Sequence, residues 1–193
     1  MIALRCLTGT DAAEAVDDLA RLRITVFRDW PYLYDGSLEY ERDYLRAYAR
    51  DGAVVVAAYD GPRMIGAATG ALLEDHAGDF AAGFSGCCVP MNRVFYCAES
   101  VLLPEYRGRG LGHAFFDGRE DHARALGRDY CAFCAVIRPD DHPRRPADYR
   151  PLDAFWRRRG YEQLPGIFAN FRWKDIGEAA ETPKKLQFWM RSL

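Results

Sequence analysis

Three glycines and two arginines stand between an apolar run and an amphipathic segment. Gly108, Gly110 and Gly112 follow a stretch that reads as a strand and precede one that reads as a helix. Glycine permits positive φ angles and lets a ligand approach the backbone closely. A helix begins with free N–H groups and the positive end of its dipole. The loop therefore predicts a backbone site for phosphate oxygens, to which Arg107 and Arg109 add positive charge.

The spacing of the glycines narrows the choice of phosphate ligand. No Gly-Lys-Ser or Gly-Lys-Thr follows, which disfavours the ATP or GTP loop of P-loop proteins. A dinucleotide fingerprint needs G-x-G-x-x-G in the first strand-to-helix turn, whereas this loop has another spacing and lies in the middle of the chain. The pattern that fits is R-x-x-G-x-G, formed by Arg107, Gly110 and Gly112.

A single carboxylate interrupts the apolar run that leads into this loop. Glu99 lies within FYCAESVLL, a predicted strand. Because the burial of an unpaired carboxylate is costly, Glu99 must be paired, near water or functional. A structural ion pair with a nearby arginine and a catalytic role are both compatible with the pattern.

Other reactive residue types form no recognisable site in the sequence. Ser100 lacks the G-x-S-x-G context of a hydrolase, and the four histidines have no partner at a useful spacing. Cys131 and Cys134 form C-x-x-C, but a zinc site needs a second pair or histidines at ligand spacing, so we expect no metal. The six cysteines occur in apolar runs, which favours buried, reduced thiols.

The elements that position these residues alternate between strand and helix patterns. Predicted strands cover residues 2–7, 53–59, 63–73, 93–103, 129–137, one or two stretches of 161–176, and 184–193. The first predicted helix is capped by Thr10 or Asp11 and is stopped by Pro31. Three further helices are predicted over residues 37–52, with Ser37 as the cap, 110–126 and 152–160. Residues 74–92 read as a lid or a short helix. The order predicts one α/β domain around a mixed sheet, spanning residues 1–193.

Composition limits the class of protein. With 193 residues, of which 49% are hydrophobic, the chain can bury one core. A net charge of −2 argues against nucleic acid as a partner. The N-terminus lacks the basic head and apolar run of a signal peptide, and no apolar run reaches the ~18 residues of a membrane span. We therefore expect a cytoplasmic protein that makes no contact with a membrane.

The glycine loop and its surroundings resemble a known family. The stretch ESVLLPEYRGRGLGHAFFD resembles the acetyl-CoA signature of the GCN5-related N-acetyltransferase (GNAT) superfamily, and LDAFWRRRGYEQ is similar to a later helix of that family. The element order matches over nearly the whole chain. The resemblance implies the GNAT fold, an α/β (α+β) domain whose mixed, mostly antiparallel sheet of about seven strands is flanked by about four helices. It also implies acetyl-CoA in a V-shaped opening between the strand that ends at Leu103 and the YCAFCAV strand.

The resemblance assigns cofactor roles to individual positions. Backbone groups around Leu102 and Leu103 would pair with the pantetheine arm like an additional strand, and a main-chain N–H near Leu102 would stabilise the oxyanion. The backbone N–H groups that would hold the pyrophosphate belong to Arg107, Gly108, Arg109, Gly110, Leu111 and Gly112.

Acetylation of an amine requires proton transfers that the sequence only partly supplies. A lysine-like ammonium has a pKa near 10 and must lose a proton, and the departing thiolate needs a proton or stabilisation. Many GNAT members use a carboxylate on this strand, often through water, which makes Glu99 the candidate base. Many also carry a tyrosine four residues before the glycine of the last helix, where this chain has Trp156. An indole cannot serve as an acid, and we expect the nearby Tyr149 and Tyr161 to be packing residues.

The acceptor site is predicted from an aromatic stretch between the first two helices. In this fold that segment usually borders the acceptor, so Trp30, Tyr32, Tyr34 and Tyr40 would line a pocket for an amine-bearing or aromatic small molecule. Hydrophobic packing is the alternative explanation. The loop RPDDHPRRPADYRP and the stretch DHAGDFAAGFSG are candidates for the other walls.

The sequence supports one main reading and leaves alternatives. The main reading is an acetyltransferase that acts on a small-molecule amine or a peptide amine. A non-catalytic, regulatory acyl-CoA-binding module with the same fold is the principal alternative, and an interaction domain that uses the arginine clusters is another. The apolar LQFWM stretch also leaves open a homodimer formed through the last strand.

Overall fold

Seven strands form a single mixed sheet in this computed structural model, which describes residues 1–76, 78, 80 and 82–193. The strands are β1 (Ile2–Leu7), β2 (Val54–Asp60), β3 (Arg63–Leu72), β4 (Val94–Leu102), β5 (Tyr130–Val136), β6 (Glu162–Trp173) and β7 (Thr182–Ser192). Their order in the sheet is β1-β2-β3-β4-β5-β7-β6. Only β4 and β5 run parallel, and every other adjacent pair is antiparallel. The predicted fold class, with a mostly antiparallel sheet of about seven strands, is confirmed.

Six α-helices flank this sheet in the part of the chain that is described, rather than about four. They are α1 (Gly9–Glu14), α2 (Val16–Phe27), α3 (Leu38–Leu45), α4 (Ala77–Phe84), α5 (Leu111–Ala125) and α6 (Asp153–Arg158). The predicted first helix is divided at Ala15 into α1 and α2. Helix α4 lies in the segment predicted to be a lid or a short helix; residues 77, 79 and 81 of that segment lie outside the described residues.

The helix ends confirm one of the predicted capping residues and contradict the others. The predicted caps Thr10 and Asp11 are wrong, because α1 begins at Gly9 after Thr8, which makes no side-chain capping bond. Ser37 is confirmed as the cap of α3, since its hydroxyl accepts a hydrogen bond from the Tyr40 N–H at 3.3 Å. Helix α3 ends at Leu45, and a 3₁₀ turn rather than a continued α-helix follows.

The core lies on both faces of the central strands. Residues 54–58 of β2 are almost fully buried, and a strand covered on both faces reads as a continuous apolar run rather than an alternating one. On β4, Glu99 contacts Arg23 of α2 whereas Ser100 contacts Arg119 of α5. Because adjacent side chains of a strand point to opposite faces, α2 covers one face of the sheet at this point and α5 covers the other.

The last strand is not at an edge of the sheet. Strand β7 pairs with β5 on one side and with β6 on the other, and Leu186, Phe188 and Trp189 are buried inside the chain. The apolar LQFWM stretch is therefore explained by internal packing. A homodimer would have to form through another surface.

The cysteines are partly as predicted. Cys97, Cys131 and Cys134 are buried free thiols, as expected from their apolar surroundings, whereas Cys6 and Cys88 are exposed. No helix within the described residues combines the length and the apolar character needed to cross a bilayer.

Candidate active site

Strands β4 and β5 separate after a short parallel ladder, which creates an opening in the sheet. They pair only from Val94 with Tyr130 to Tyr96 with Ala132. Beyond this point β4 remains paired with β3, and β5 remains paired with β7. The edges that face each other are thus left without a strand partner. This opening lies between the two strands that the resemblance indicates.

A β-bulge lies at the mouth of this opening. Ala68 pairs with Ser100 and Gly70 pairs with Cys97, so two steps along β3 correspond to three steps along β4. The additional residue belongs to the Ala98–Glu99 step. A bulge bends its strand and redirects a side chain, and here it follows directly after the last β4–β5 pair at Tyr96 and includes Glu99.

Backbone donors point into the opening just beyond the bulge. The Leu103 N–H donates to the Ile65 carbonyl of β3 at 3.0 Å. Because successive N–H groups along a strand point to opposite sides, the N–H of Leu102 points away from β3 and into the opening. The side chain of Leu103 is buried, which fixes the backbone at this position.

The glycine loop presents a row of free N–H groups at the start of α5. Gly108 and Gly110 have φ angles of 76° and 81°, in the region that L-residues other than glycine rarely adopt. Within the described residues, the N–H groups of residues 108–112 have no protein acceptor. A Cβ added at Gly110 would meet no atom within 4 Å, so the space above the loop is open. These features fit a phosphate-bearing ligand.

The two loop arginines are exposed and are held only by backbone carbonyls. Arg107 Nε donates to the Leu102 carbonyl at 3.4 Å, and Arg109 Nη2 donates to the Glu105 carbonyl at 3.1 Å. The Arg109 guanidinium also lies over the ring of Tyr106. Neither arginine forms an ion pair within the described part of the chain, so both charges are available at the surface of the loop.

Glu99 forms the ion pair that the sequence offered as the structural alternative. Its Oε1 lies 2.5 Å from Arg23 Nη1, and its Oε2 accepts a hydrogen bond from the Tyr44 hydroxyl at 3.2 Å. Arg23 Nε also binds Glu41 Oε2 at 2.5 Å. The three side chains Glu41, Arg23 and Glu99 form a buried ionic triad in which two carboxylates share one guanidinium.

The charges of the triad also determine the protonation states of Arg23 and of the neighbouring Tyr44. Burial by itself lowers the pKa of Arg23, but the negative charge of Glu99 and of the other acidic neighbours raises it well above its usual value. Burial and then the charge of Glu99 raise the pKa of Tyr44 well above its usual value. Arg23 therefore stays charged, and Tyr44 stays a neutral hydrogen-bond donor towards Glu99.

The aromatic stretch after α2 lies against the same face of the sheet. Burial and then the charge of Glu99 raise the pKa of Tyr32, and burial and then the charge of Glu41 raise the pKa of Tyr34. The ring of Tyr32 packs against that of Phe27 with 4.3 Å between their centroids, and the Phe27 ring in turn lies 5.0 Å from the Arg23 guanidinium carbon. Trp30 lies farther out, where its ring centroid is 5.0 Å from that of His142 in the proline-rich loop.

A partly buried arginine, Arg138, holds the aromatic stretch in place. Arg138 donates to the carbonyls of Pro31 and Tyr32 at 2.8 and 2.7 Å and binds Asp175 at 2.6 Å. The aromatic stretch is in this way attached to the end of β5 and to the segment after β6. The predicted wall of the acceptor site is thus a fixed part of the fold.

The residues near the expected acid position contribute packing. Trp156 lies with its ring centroid 4.9 Å from that of Phe133, the first residue of β5 beyond the ladder with β4. Tyr161 is fully buried, and its hydroxyl donates to Glu120 Oε1 at 3.1 Å. Burial is the largest cause that raises the pKa of Tyr161. Tyr149 packs edge-on against Trp30.

Removing the hydroxyl of Tyr161 tests this structural assignment. We expect Tyr161→Phe to leave turnover unchanged and to destabilise the fold by about 1–2 kcal/mol, because Glu120 loses a buried donor. Urea unfolding and steady-state kinetics measure the two effects. A large fall in turnover in a folded Tyr161→Phe protein would instead identify Tyr161 as the missing acid.

Sequence reasoning missed the partners of Glu99. Arg23 and Glu41 were not singled out, although each breaks an apolar helical stripe. Arg23 lies four residues after Leu19 and four before Phe27, both of which are buried. A charged residue at such a position needs a buried partner, and that signal was present. Among the described residues, no group of three or more metal-ligating side chains is placed to hold an ion.

The chain was compared with known families and structures. Residues 19–147 match the model of the acetyltransferase (GNAT) family. No curated protein sequence matches the chain significantly.

Solved structures with the same fold cover nearly the whole chain. Ribosomal-protein-alanine N-acetyltransferase from Brucella melitensis has a TM-score of 0.64 at 15% identity, with 99% of each chain covered. The acetyl-CoA complex of yncA from Salmonella typhimurium has a TM-score of 0.60 at 12% identity, covering 100% of this chain and 94% of that one. The coenzyme A complex of PaiA N-acetyltransferase from Thermoplasma acidophilum has a TM-score of 0.55 at 12% identity, covering 100% and 99%.

Proposed function

The chain belongs to the acetyltransferase (GNAT) family of acyltransferases, and we propose that it transfers an acetyl group from acetyl-CoA to the primary amine of a small molecule. The amine nitrogen bonds to the acetyl carbonyl carbon, the C–S bond breaks, and coenzyme A leaves. The observation that carries the proposal is the opening between β4 and β5, because Glu99 belongs to the part of β4 beyond the last pair with β5 and the free N–H groups of the glycine loop follow this strand in the chain.

The donor side of the opening fits acetyl-CoA. The free N–H groups of residues 108–112 and the dipole of α5 suit a diphosphate, and Arg107 and Arg109 add charge. The unpaired edge of β4 offers its backbone at Leu102 and Leu103 to an extended arm that carries amide groups. The carbonyl of Leu102 now accepts a long bond from the exposed Arg107, which a stronger donor can replace.

The Leu102 N–H has the direction needed to stabilise the oxyanion of the transfer reaction, because it points into the opening. A fixed donor aimed at the thioester carbonyl oxygen stabilises the negative charge that develops there. Leu102 and Glu99 belong to the same stretch of β4, which supports a shared role of this donor and this base at one thioester.

The acceptor side fits a cationic amine. The triad of Glu41, Arg23 and Glu99 contains two carboxylates and one guanidinium, a formal excess of one negative charge in a buried setting. The Tyr44 hydroxyl donates to Glu99, and the Tyr44 ring already lies against Arg23, 4.6 Å from its guanidinium carbon. An acceptor ammonium is attracted here, and Glu99 takes its proton directly or through water.

In this chain the coenzyme A thiolate leaves without a proton from the position where related proteins often have a tyrosine. Trp156 carries an indole N–H, which donates a hydrogen bond but not a proton. This departure from the family pattern also supports a second candidate function. A regulatory acyl-CoA-binding module would keep the donor side of the opening and would use Glu99 only as the ion-pair partner of Arg23.

Thermal unfolding tests the donor half of the proposal. Acetyl-CoA and coenzyme A are expected to raise the midpoint of unfolding, since each binds only the folded chain, whereas ATP is expected to have little effect. Stabilisation by ATP as strong as that by acetyl-CoA would contradict the assignment, because it would show that the loop accepts any polyphosphate. The absence of stabilisation by any of the three would exclude the site.

A further inference from the structure

Arg119 is a fully buried arginine that the mechanism described so far does not use. It lies on α5, two turns after the glycine loop, and is 1% exposed. No carboxylate lies within ion-pairing distance of Arg119 in the described ranges of the chain. A guanidinium is placed in such a setting only where other groups satisfy its donors.

The partners of Arg119 are the irregular backbone groups of the bulge. Its Nη1 donates to the carbonyls of Thr69 and Glu99 at 3.3 and 3.1 Å, and its Nη2 donates to Ser100 Oγ at 2.9 Å. Thr69 is the β3 residue that has no partner on β4, and Glu99 is in the bulge itself. Arg119 Nε binds the Phe115 carbonyl of its own helix at 3.1 Å.

Helix α5, which carries Arg119, links the glycine loop to the bulge that contains Glu99. Helix α5 begins at Leu111, directly after the loop proposed to hold the pyrophosphate, and Arg119 lies eight residues later, about 12 Å along the helix axis. The same helix thus has the proposed pyrophosphate loop at its N-terminus and the contact of Arg119 with the bulge in its middle. Arg119 thus gives the glycine loop a second link to Glu99, in addition to the direct chain connection through β4.

We propose that Arg119 is a positioning residue, which holds the bulge of β4 so that the Glu99 carboxylate and the Leu102 N–H keep their places relative to the cofactor loop. This inference rests on the proposed function, because it assigns Arg119 a part in the same transfer. Arg119 contacts no reacting atom. It acts by satisfying two carbonyls that the interrupted ladder leaves without a strand donor.

The test compares Arg119→Met with a matched control, Arg128→Met. Arg128 is also mostly buried, lies just after α5, and binds Glu74 at 2.8 Å, away from the bulge. Hydrogen exchange of the 97–103 segment, the dissociation constant of coenzyme A and steady-state kinetics are measured on both variants and on the wild type. Arg119→Lys keeps the charge but cannot bridge three acceptors in the geometry of a guanidinium.

We expect the 97–103 segment to exchange faster in Arg119→Met than in the wild type or in Arg128→Met. A misplacement near 1 Å costs roughly 100-fold in rate, so kcat is expected to fall by about that factor while coenzyme A affinity changes little. Arg119→Lys is expected to lie between Arg119→Met and the wild type in both exchange and kcat.

Three results would overturn the role of Arg119. They are unchanged exchange of the 97–103 segment, an equal fall in kcat in an equally destabilised Arg128→Met protein, or a loss confined to coenzyme A affinity. If Arg119→Met does not fold, Ser100→Ala removes one contact alone and is expected to shift exchange and kcat in the same direction. If the wild type shows no turnover, the proposed function fails, and the exchange measurement decides the role of Arg119 by itself.

Discussion

Gly110→Asp is expected to abolish binding of acetyl-CoA. Gly110 has a φ of 81°, where an L-residue other than glycine costs about 1–2 kcal/mol. The new carboxylate would also occupy the open space above the free N–H groups of the loop, where like charges meet at a cost of several kcal/mol. We therefore expect a rise of at least about 100-fold in the dissociation constant, measured by titration calorimetry.

Two matched variants separate charge from backbone strain. Gly127→Asp introduces the same residue at a φ of 69°, also with no atom within 4 Å of the new Cβ, beyond the opposite end of α5. It is expected to keep the affinity of the wild type. Gly110→Asn adds the same volume without charge and is expected to lose much less affinity than Gly110→Asp. Unchanged affinity in Gly110→Asp would place the cofactor elsewhere.

Glu99→Gln is expected to lower kcat roughly 100-fold near neutral pH, the usual effect of removing a general base. The loss should shrink as the pH approaches about 10, where the acceptor amine loses its own proton. The affinity for coenzyme A should change little, because the proposed role of Glu99 is towards the acceptor and not towards the donor. A pH–rate profile of both proteins, together with calorimetry, measures these effects.

The control for Glu99 is the other carboxylate of the triad. Glu41→Gln makes the same chemical change on the opposite side of Arg23 and removes the same formal charge. We expect Glu41→Gln to weaken binding of the acceptor amine, seen as a higher KM for the amine, and to keep the shape of the wild-type pH–rate profile. If Glu41→Gln reproduces the kinetics of Glu99→Gln, the charge of the triad matters and Glu99 is not the base.

The local features of the fold could be predicted from the sequence. The Ser37 cap acts over three residues, and the positive φ angles of Gly108 and Gly110 are conformations that glycine itself permits. The opening is different, since it arises from the absence of pairing between β4 and β5 beyond Tyr96. The sequence of neither strand by itself indicates that this pairing is missing, and only the family resemblance predicted the opening.

Long-range pairing explains what the sequence did not show. Glu99 could be identified as a carboxylate in need of a partner, but Arg23 lies 76 positions earlier in the chain. The bulge is a property of the register between β3 and β4. On α5, Arg119 is buried together with Leu111 and Phe115. An inward-facing arginine becomes interpretable only when the backbone carbonyls around it are known.

The measurement that tests the central claim most directly is amine-dependent release of coenzyme A thiol. The wild-type protein is incubated with acetyl-CoA and each member of a panel of small primary amines, with Gly110→Asp protein as the control. We predict release that saturates with at least one amine and is absent from the control. Stabilisation by acetyl-CoA without release above the uncatalysed rate for any amine would contradict the transferase and favour an acyl-CoA-binding module.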